Sequence, residues 1–161
     1  MKTIELTQGQ FAIVDDDDFY ELSKYKWHAV YSKPLDSYYA KRRYKEDDGY
    51  IHEFMHRNIL GLKKGDKRIV DHINHETLDN RKENIRICTS SQNNWNTRKR
   101  KDNSTGLKGV SWNKRRQKYE SLIMINKKHM WLGYFETKEE AHAVYMKAAQ
   151  TLQGEFFSKD I

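Results

Sequence analysis

A single cysteine, Cys88, constrains this chain more than any other feature, because it removes the staples on which small domains commonly rely. An internal disulfide framework cannot form, and neither can a zinc knuckle that needs several thiolates, although a His-only zinc site is conceivable. Whatever folds here is held by packing and hydrogen bonds. The 161 residues suffice for one ordinary domain or for two or three very small ones, and 4 Trp, 10 Tyr and 6 Phe supply the large buried areas that several small cores need. Cys88 itself reads as a small buried apolar group, not a nucleophile. No apolar run approaches the roughly eighteen residues that span a bilayer, and the N-terminal stretch MKTIELTQGQ lacks the apolar segment of a signal peptide. A cytoplasmic protein with no membrane partner is the expectation.

The formal charge of +7 is unevenly placed. Residues 1–54 carry eight basic and eleven acidic side chains, whereas residues 55–161 carry twenty-two and twelve. Between Trp95 and Trp131 eleven Lys or Arg face only Asp102 and Glu120, a density that gathers phosphate by counterion release. Nucleic acid is the leading partner class. The acidic run Asp15–Asp18 reads differently: four consecutive aspartates cannot share one regular face, and they precede a short helix at Phe19–Leu22 whose N-terminus favours negative charge.

Apolar and polar residues alternate in short stretches over the first fifty positions (Ile4, Leu6; Phe11, Ile13), predicting short strands. Tyr38–Arg43 and Tyr50–Phe54 flank the turn Glu46-Asp47-Asp48-Gly49 and predict a hairpin, with Trp27, Tyr31, Tyr38 and Tyr39 as core candidates. Spacing becomes helical from Phe54 to Leu60, where Met55, Ile59 and Leu62 can share a side. RIVDHI and NIRICT then read as two strands around the polar loop Asn74–Glu83. A short helix follows, announced by the capping box Thr89/Gln92. Residues 98–105 lack apolar periodicity and read as a basic linker able to order on DNA through Arg98, Lys99, Arg100 and Lys101. Beyond Gly106, Val110–Trp112, Tyr119–Ile125 and Met130–Leu132 predict three strands. A capped helix follows at Thr137/Glu140, with Ala141, Val144, Tyr145, Ala148 and Leu152 as its apolar stripe and Gly154 as its stop. On strand pleating, Tyr119, Ser121, Ile123, Ile125, Met130 and Leu132 face the helix, while Lys118, Glu120, Leu122, Met124, His129 and Trp131 face outward. The expected class is α+β: a β-rich block (1–53), a strand–loop–strand–helix core (54–97), the linker (98–105), and a three-stranded antiparallel sheet on one helix (106–161).

Chemistry concentrates at Asp71-His72, with Asn84 and Asn93 twelve and twenty-one residues beyond the histidine. If the hairpin folds against the following helix, the Asp71 carboxylate and the Asn93 amide oxygen can converge on one hard divalent cation. Two protein oxygens leave most of an octahedral shell to water and phosphate, which suits Mg²⁺. His72, near its ordinary pKa of about 6.5, can take a proton from attacking water. Consecutive residues on a regular strand point to opposite faces, so Asp71 and His72 share a site only at a twist or a strand end.

The run VDHINHETLDNRKENIRICTSSQN, with MHRNILG upstream, resembles the ββα-metal motif of HNH endonucleases, especially phage and intron homing enzymes. The resemblance implies His72 as general base, Asp71 and Asn93 as metal ligands, and Asn84 as the central asparagine bracing the hairpin, with direct phosphate contact as a second option. It places His56 and Arg57 to approach DNA, His56 being equally able to pack in its helix. Loop residue His75 is expected in solvent, and Asp79, Asn80 and Arg81 are expected to stabilise the loop. Residues 104–157 resemble the APETALA-type (ethylene-response-factor-like) DNA-binding domain, on the markers GV, WLGYF, an acidic helix start and an alanine-rich helix ending in G-E-F. That resemblance implies a sheet entering the major groove, with Lys108, Ser111, Asn113, Arg115, His129 and Trp131 near DNA. Lys114, Arg116, Lys127 and Lys128 read as phosphate contacts.

The function expected is metal-dependent hydrolysis of duplex DNA by a monomer or a homodimer, one ββα unit most simply making one nick. A non-catalytic DNA-binding regulator on the same scaffold is the alternative. An RNA-binding accessory protein is weaker, since a paired-aromatic RNA platform is not recognisable.

Overall fold

Short alternating runs become short strands, and polar turns divide them, among the described residues, into four small antiparallel sheets. The computed structural model describes residues 1–47, 49–99 and 102–158 in two units, Met1–Cys88 and Thr89–Ile161. The architecture is mixed α+β.

In the first unit, β1 (Lys2–Glu5) pairs with β2 (Phe11–Val14), and α1 (Asp16–Ser23) follows with Asp16, Asp17 and Asp18 in its first turn. That placement sets the aspartates against the positive end of the helix. A three-stranded sheet then forms from β3 (His28–Ser32), β4 (Ser37–Glu46) and β5 (Gly49–Phe54). The short α2 (Met55–Ile59) leads to the hairpin β6 (Ile69–His72) and β7 (Ile85–Cys88). One core joins β1, β2, α1, β3, β4 and α2: Ile4, Leu6, Val14, Leu22, Trp27 and Met55 are all buried in it. The Trp27 indole N–H donates to the Leu22 carbonyl at 2.9 Å, so its buried polar atom is satisfied. Tyr31 departs from expectation: it is 49% exposed, held at the rim by its hydroxyl on Asp36 Oδ1 (2.6 Å).

Backbone bonds also stitch β2 to the loop between β6 and β7. Ile13 N–H donates to Leu78 O and Asn80 N–H donates to Ile13 O, each at 2.8 Å. Residues 78–80 are therefore fixed by a strand more than sixty positions upstream.

The second unit opens with α3 (Ser90–Trp95), where the expected capping box is present: Thr89 Oγ1 accepts from Gln92 N–H, and Gln92 Oε1 accepts from Thr89 N–H. Its sheet has the order β10-β9-β8, formed by β8 (Val110–Asn113), β9 (Lys118–Ile125) and β10 (Lys128–Phe135). Strand β10 is longer than its apolar pattern and begins at Lys128. Asn126 and Lys127 alone make the turn before it, both at positive φ, as a tight two-residue hairpin connection requires. Helix α4 (Lys138–Gln153) carries the second capping box, Thr137 with Glu140, and ends at Gly154.

Ser121 and Ile123 are fully buried against α4, as pleating predicts, and Met124 faces outward. Two expectations fail here. Met130 pairs with Ile123 yet stays 44% exposed near the free end of the hairpin, and a register shift between Trp131 and Gly133 alters the alternation beyond it. Leu152 is also exposed, because the buried stripe runs Ala141, Tyr145, Ala149, Gln153 at strict four-residue steps. Part of the segment 98–105 is ordered by its own hydrogen bonds. Asn103 Oδ1 accepts from Thr105 N–H and Gly106 N–H, and Thr105 Oγ1 donates toward Val110 O, folding this end of the segment onto β8. No helix among the described residues is long and apolar enough to cross a membrane.

Candidate active site and nucleic-acid interface

His72 is the last residue of β6, the strand end that lets it and Asp71 both be buried, each at 6% exposure. Opposite Asp71 in register stands Arg86, whose Nε and Nη2 donate to Asp71 Oδ2 at 2.9 and 2.8 Å. The carboxylate is thus charge-compensated inside the fold. His72 lies among aromatic rings: His56 at 5.1 Å and Tyr39 at 6.0 Å, both edge-on, with Phe54 stacked on His56 at 5.4 Å.

Asn80 lies against the histidine. Its Nδ2 donates to Leu78 O at 3.1 Å, and its Oδ1 faces His72 Nε2 at 3.4 Å, a contact that His72 makes as donor when Nε2 carries the proton. Burial pulls the His72 pKa below its ordinary value, opposed by Asn80 and by the charges of Asp71 and Asp79. His56 is pulled down further, to about 3, by burial, then by His72 and Arg57. Both rings are therefore neutral near pH 7. Burial and the Asp71 carboxylate together push the Tyr39 phenol up.

Asn84 closes the loop beneath His72. Its Oδ1 accepts from Asn74 N–H at 3.0 Å and its Nδ2 donates to Asp79 O at 2.7 Å, so one side chain ties both ends of the connection. Asp79 is in turn gripped by Arg81 through Nε (2.8 Å) and Nη2 (2.7 Å), which holds its carboxyl below the usual range. His75, expected in solvent, is half-buried in the left-handed region at φ 63°, a conformation demanded by the turn that follows β6. Arg57 is occupied as a brace: Nη1 donates to Arg68 O and Nη2 to Asp66 O, so it pins the segment leading into β6. Asn93 lies on α3, in the second unit, half-buried, its backbone N–H bonded to Thr89 O.

The residues missed by sequence reasoning are Arg86 and the ring shell of Tyr39 and Phe54. Arg86 becomes visible once β6 and β7 are aligned, since it falls directly across from Asp71. The rings come from β4 and β5, and no local pattern links them to a histidine some twenty or thirty positions later.

In the second unit the outward row of the sheet is set by register: Ser111 beside Glu120 beside Tyr134, Asn113 beside Lys118, Leu122 beside Trp131, and Met124 beside His129. Lys114, Arg115, Arg116, Lys127, Lys128 and His129 are exposed, and Arg116 lies over the Tyr134 ring at 5.0 Å. Asn113 shapes the β8–β9 turn, accepting from Arg116 N–H at Oδ1. Lys108 is different from its neighbours. Its ammonium donates to Trp95 O and Thr97 O at 2.8 and 2.7 Å, at the negative end of α3, and burial lowers its pKa. Arg98 is exposed and Lys99 donates to Gly106 O; Arg100 and Lys101 lie outside the described residues.

A family model described as HNH endonuclease matches residues 53–95, the span from the end of β5 through α3, and one described as AP2 domain matches residues 105–155. Protein 3.8 of Escherichia phage T7 is 29% identical over 87 residues, which is 54% of this chain and 71% of the phage protein. An uncharacterized HNH endonuclease of Acanthamoeba polyphaga mimivirus is 30% identical over 149 residues, 92% of this chain and 74% of the viral protein. With that likeness running through both the buried histidine site and the basic sheet, the chain belongs to the HNH endonuclease family and carries an AP2 domain.

Proposed function

We propose that this protein hydrolyses phosphodiester bonds in duplex DNA, in the manner of homing-type HNH enzymes, with His72 as general base and the AP2 sheet as its grip on the duplex. The observation that carries the reading is a buried histidine whose Nε2 faces the Asn80 amide oxygen, at a strand end beside a buried carboxylate. His72 Nδ1 takes the proton of the attacking water, and Asn84 holds the loop that keeps the ring in place.

Asp71, in the first unit, would be a ligand of a divalent cation, and Asn93, in the second, is the further ligand that the family resemblance implies. A carboxylate and an amide are hard oxygen donors, fitting Mg²⁺ or Mn²⁺ over a soft metal, and among the described residues no three His, Cys, Asp or Glu side chains cluster into a richer site. Such an ion, when bound, stabilises charge on the phosphoryl oxygens and the leaving oxygen. Arg86 keeps the Asp71 carboxylate oriented while competing for its charge. That competition is what favours the second reading, a DNA-binding regulator that keeps the scaffold without the chemistry.

Arg57, already bonded to two carbonyls, and Lys108, spent on α3, take part in this reading as braces. Arg98, Lys99, Arg100, Lys101, Lys114, Arg115, Arg116, Lys127 and Lys128 supply phosphate contacts, and Ser111, Asn113, His129 and Trp131 lie toward the bases. One chain makes one nick; a homodimer on paired half-sites makes two. Relaxation of supercoiled plasmid with Mg²⁺ or Mn²⁺, repeated with EDTA, separates the readings. The enzyme nicks, and EDTA stops nicking but leaves a salt-sensitive complex; the regulator binds under both conditions and cuts under neither.

A further inference from the structure

The outward face of the sheet in the second unit is apolar at its centre and cationic at both ends. Leu122 and Met124 alternate along β9 toward the outside, with Trp131 paired to Leu122 and 56% exposed, and Met124 47% exposed. Lys114, Arg115 and Arg116 stand on the turn at one end, and Lys127 and Lys128 at the other. Glu120 is the acid on this face, and it is bonded by the Asn113 amide at 3.5 Å. Lys118 is tied to Glu136.

A ribbon built this way can straddle a groove whose walls are phosphate and whose floor is base edges. Its end cations meet the backbone and fix register without reading sequence. Leu122 and Met124 carry no strong hydrogen-bonding atom, so they cannot read an amino, carbonyl or ring-nitrogen edge, and the indole N–H of Trp131 beside Leu122 is the one strong donor among the three. One apolar group projects into the major groove from an unmodified base pair: the C5-methyl of thymine. Leu122 and Met124 are two residues apart on a strand, about 7 Å, close to the rise of two base-pair steps.

We infer that Leu122 and Met124 read pyrimidine C5-methyl groups in the major groove, so that target preference at the centre of the site is set by methyl contact. Trp131 walls this contact on one side. Glu120, next along the face, accepts from the cytosine amino group, which makes a mixed pyrimidine tract the favoured strand. The inference rests on the DNA-binding reading of the sheet and specifies what that sheet recognises.

The test uses the full chain in EDTA, so that binding is measured without cutting. A duplex is selected from a randomised pool, and each thymine in it is then replaced singly by deoxyuridine, which removes only the methyl group. Binding weakens about 4-fold at each contacted thymine, the worth of one buried methyl. In the variant Leu122→Thr/Met124→Gln, thymine and deoxyuridine duplexes bind alike while the salt dependence, set by the end cations, is kept. Replacing cytosine by 5-methylcytosine at a contacted pyrimidine strengthens wild-type binding by a similar factor and extends the recognised group to modified DNA. Equal affinity of the wild-type protein for thymine and deoxyuridine duplexes overturns the inference but leaves DNA binding standing. Failure to bind any duplex, with self-association instead, removes the DNA-binding reading itself and assigns the apolar face to a second copy of the chain.

Discussion

The two working surfaces of this molecule are built on opposite physical terms. Around His72 the polar groups are inside: Asp71, Asn80, Asn84 and Asp79 are all buried and each has partners. On the sheet of the second unit Lys114, Arg115, Arg116, Lys127 and Lys128 are exposed, and large apolar side chains share the exposed face with them. A site that must hold one proton at one atom needs rigidity and low dielectric, and both come from burial. A surface that must settle on a long polyanion needs mobile cations, which cost little when one is lost.

The sharpest way to break the comparison is to remove His72. His72→Ala should lower the nicking rate about 10²–10⁴-fold while leaving duplex affinity within a factor of two, measured by plasmid relaxation and by gel shift on the same preparation. Loss of binding together with cleavage would make His72 a structural residue. Next in size is Arg86→Ala, which strands the Asp71 carboxylate without its counter-charge; the unit containing it should lose about 3 kcal/mol in urea denaturation. The counterpart in the second unit is Gly109→Ala. Gly109 sits at φ +77°, and a Cβ there would meet the Tyr145 ring at 2.0 Å, so about 2–4 kcal/mol should be lost and DNA affinity should fall while the His72 site stays intact.

Acid should separate the two regions with a smaller effect. His56 and His72 are held neutral by burial, so their folded pKa values lie below the unfolded value of about 6.5. Below pH 6.5 the unfolded chain binds more protons than the folded one, and stability falls with falling pH, by up to about 1.4 kcal/mol per pH unit for each histidine. Above that window the contribution is fully present. Thermal melts between pH 7.5 and 5 should show the loss, and His56→Phe should flatten it. The smallest effect belongs to the exposed cations: Lys114→Ala or Lys127→Ala should weaken all duplexes alike and reduce the salt slope by about one unit each.

Much of the fold was legible because its signals are local. Both capping boxes rest on a hydroxyl and an amide or carboxylate three residues apart, and β9 announces its buried face through strict alternation at Ser121 and Ile123. Where the reading missed, a longer-range effect decided. Leu152 was expected inside, but the four-residue drift of the stripe carried burial to Gln153, and Met130 was left open by its place near the hairpin end. At the site, Asp71, His72 and Asn84 stood out as a spaced polar set within a β-type pattern. Arg86 did not, since its pairing with Asp71 exists only once two strands thirteen residues apart have chosen their register. Lys108 looked like any basic residue in a basic stretch; only the fold shows that its charge is spent on the end of α3.

The bonds from Ile13 to Leu78 and Asn80 bear on how such a module can be moved between proteins. Asn80 faces His72 Nε2, and β2 holds the backbone of Asn80. A graft that lifted only the hairpin and its helix into a new host would therefore carry every residue of the recognised signature and leave behind the strand that orients its histidine. Moving the site intact means moving that strand with it.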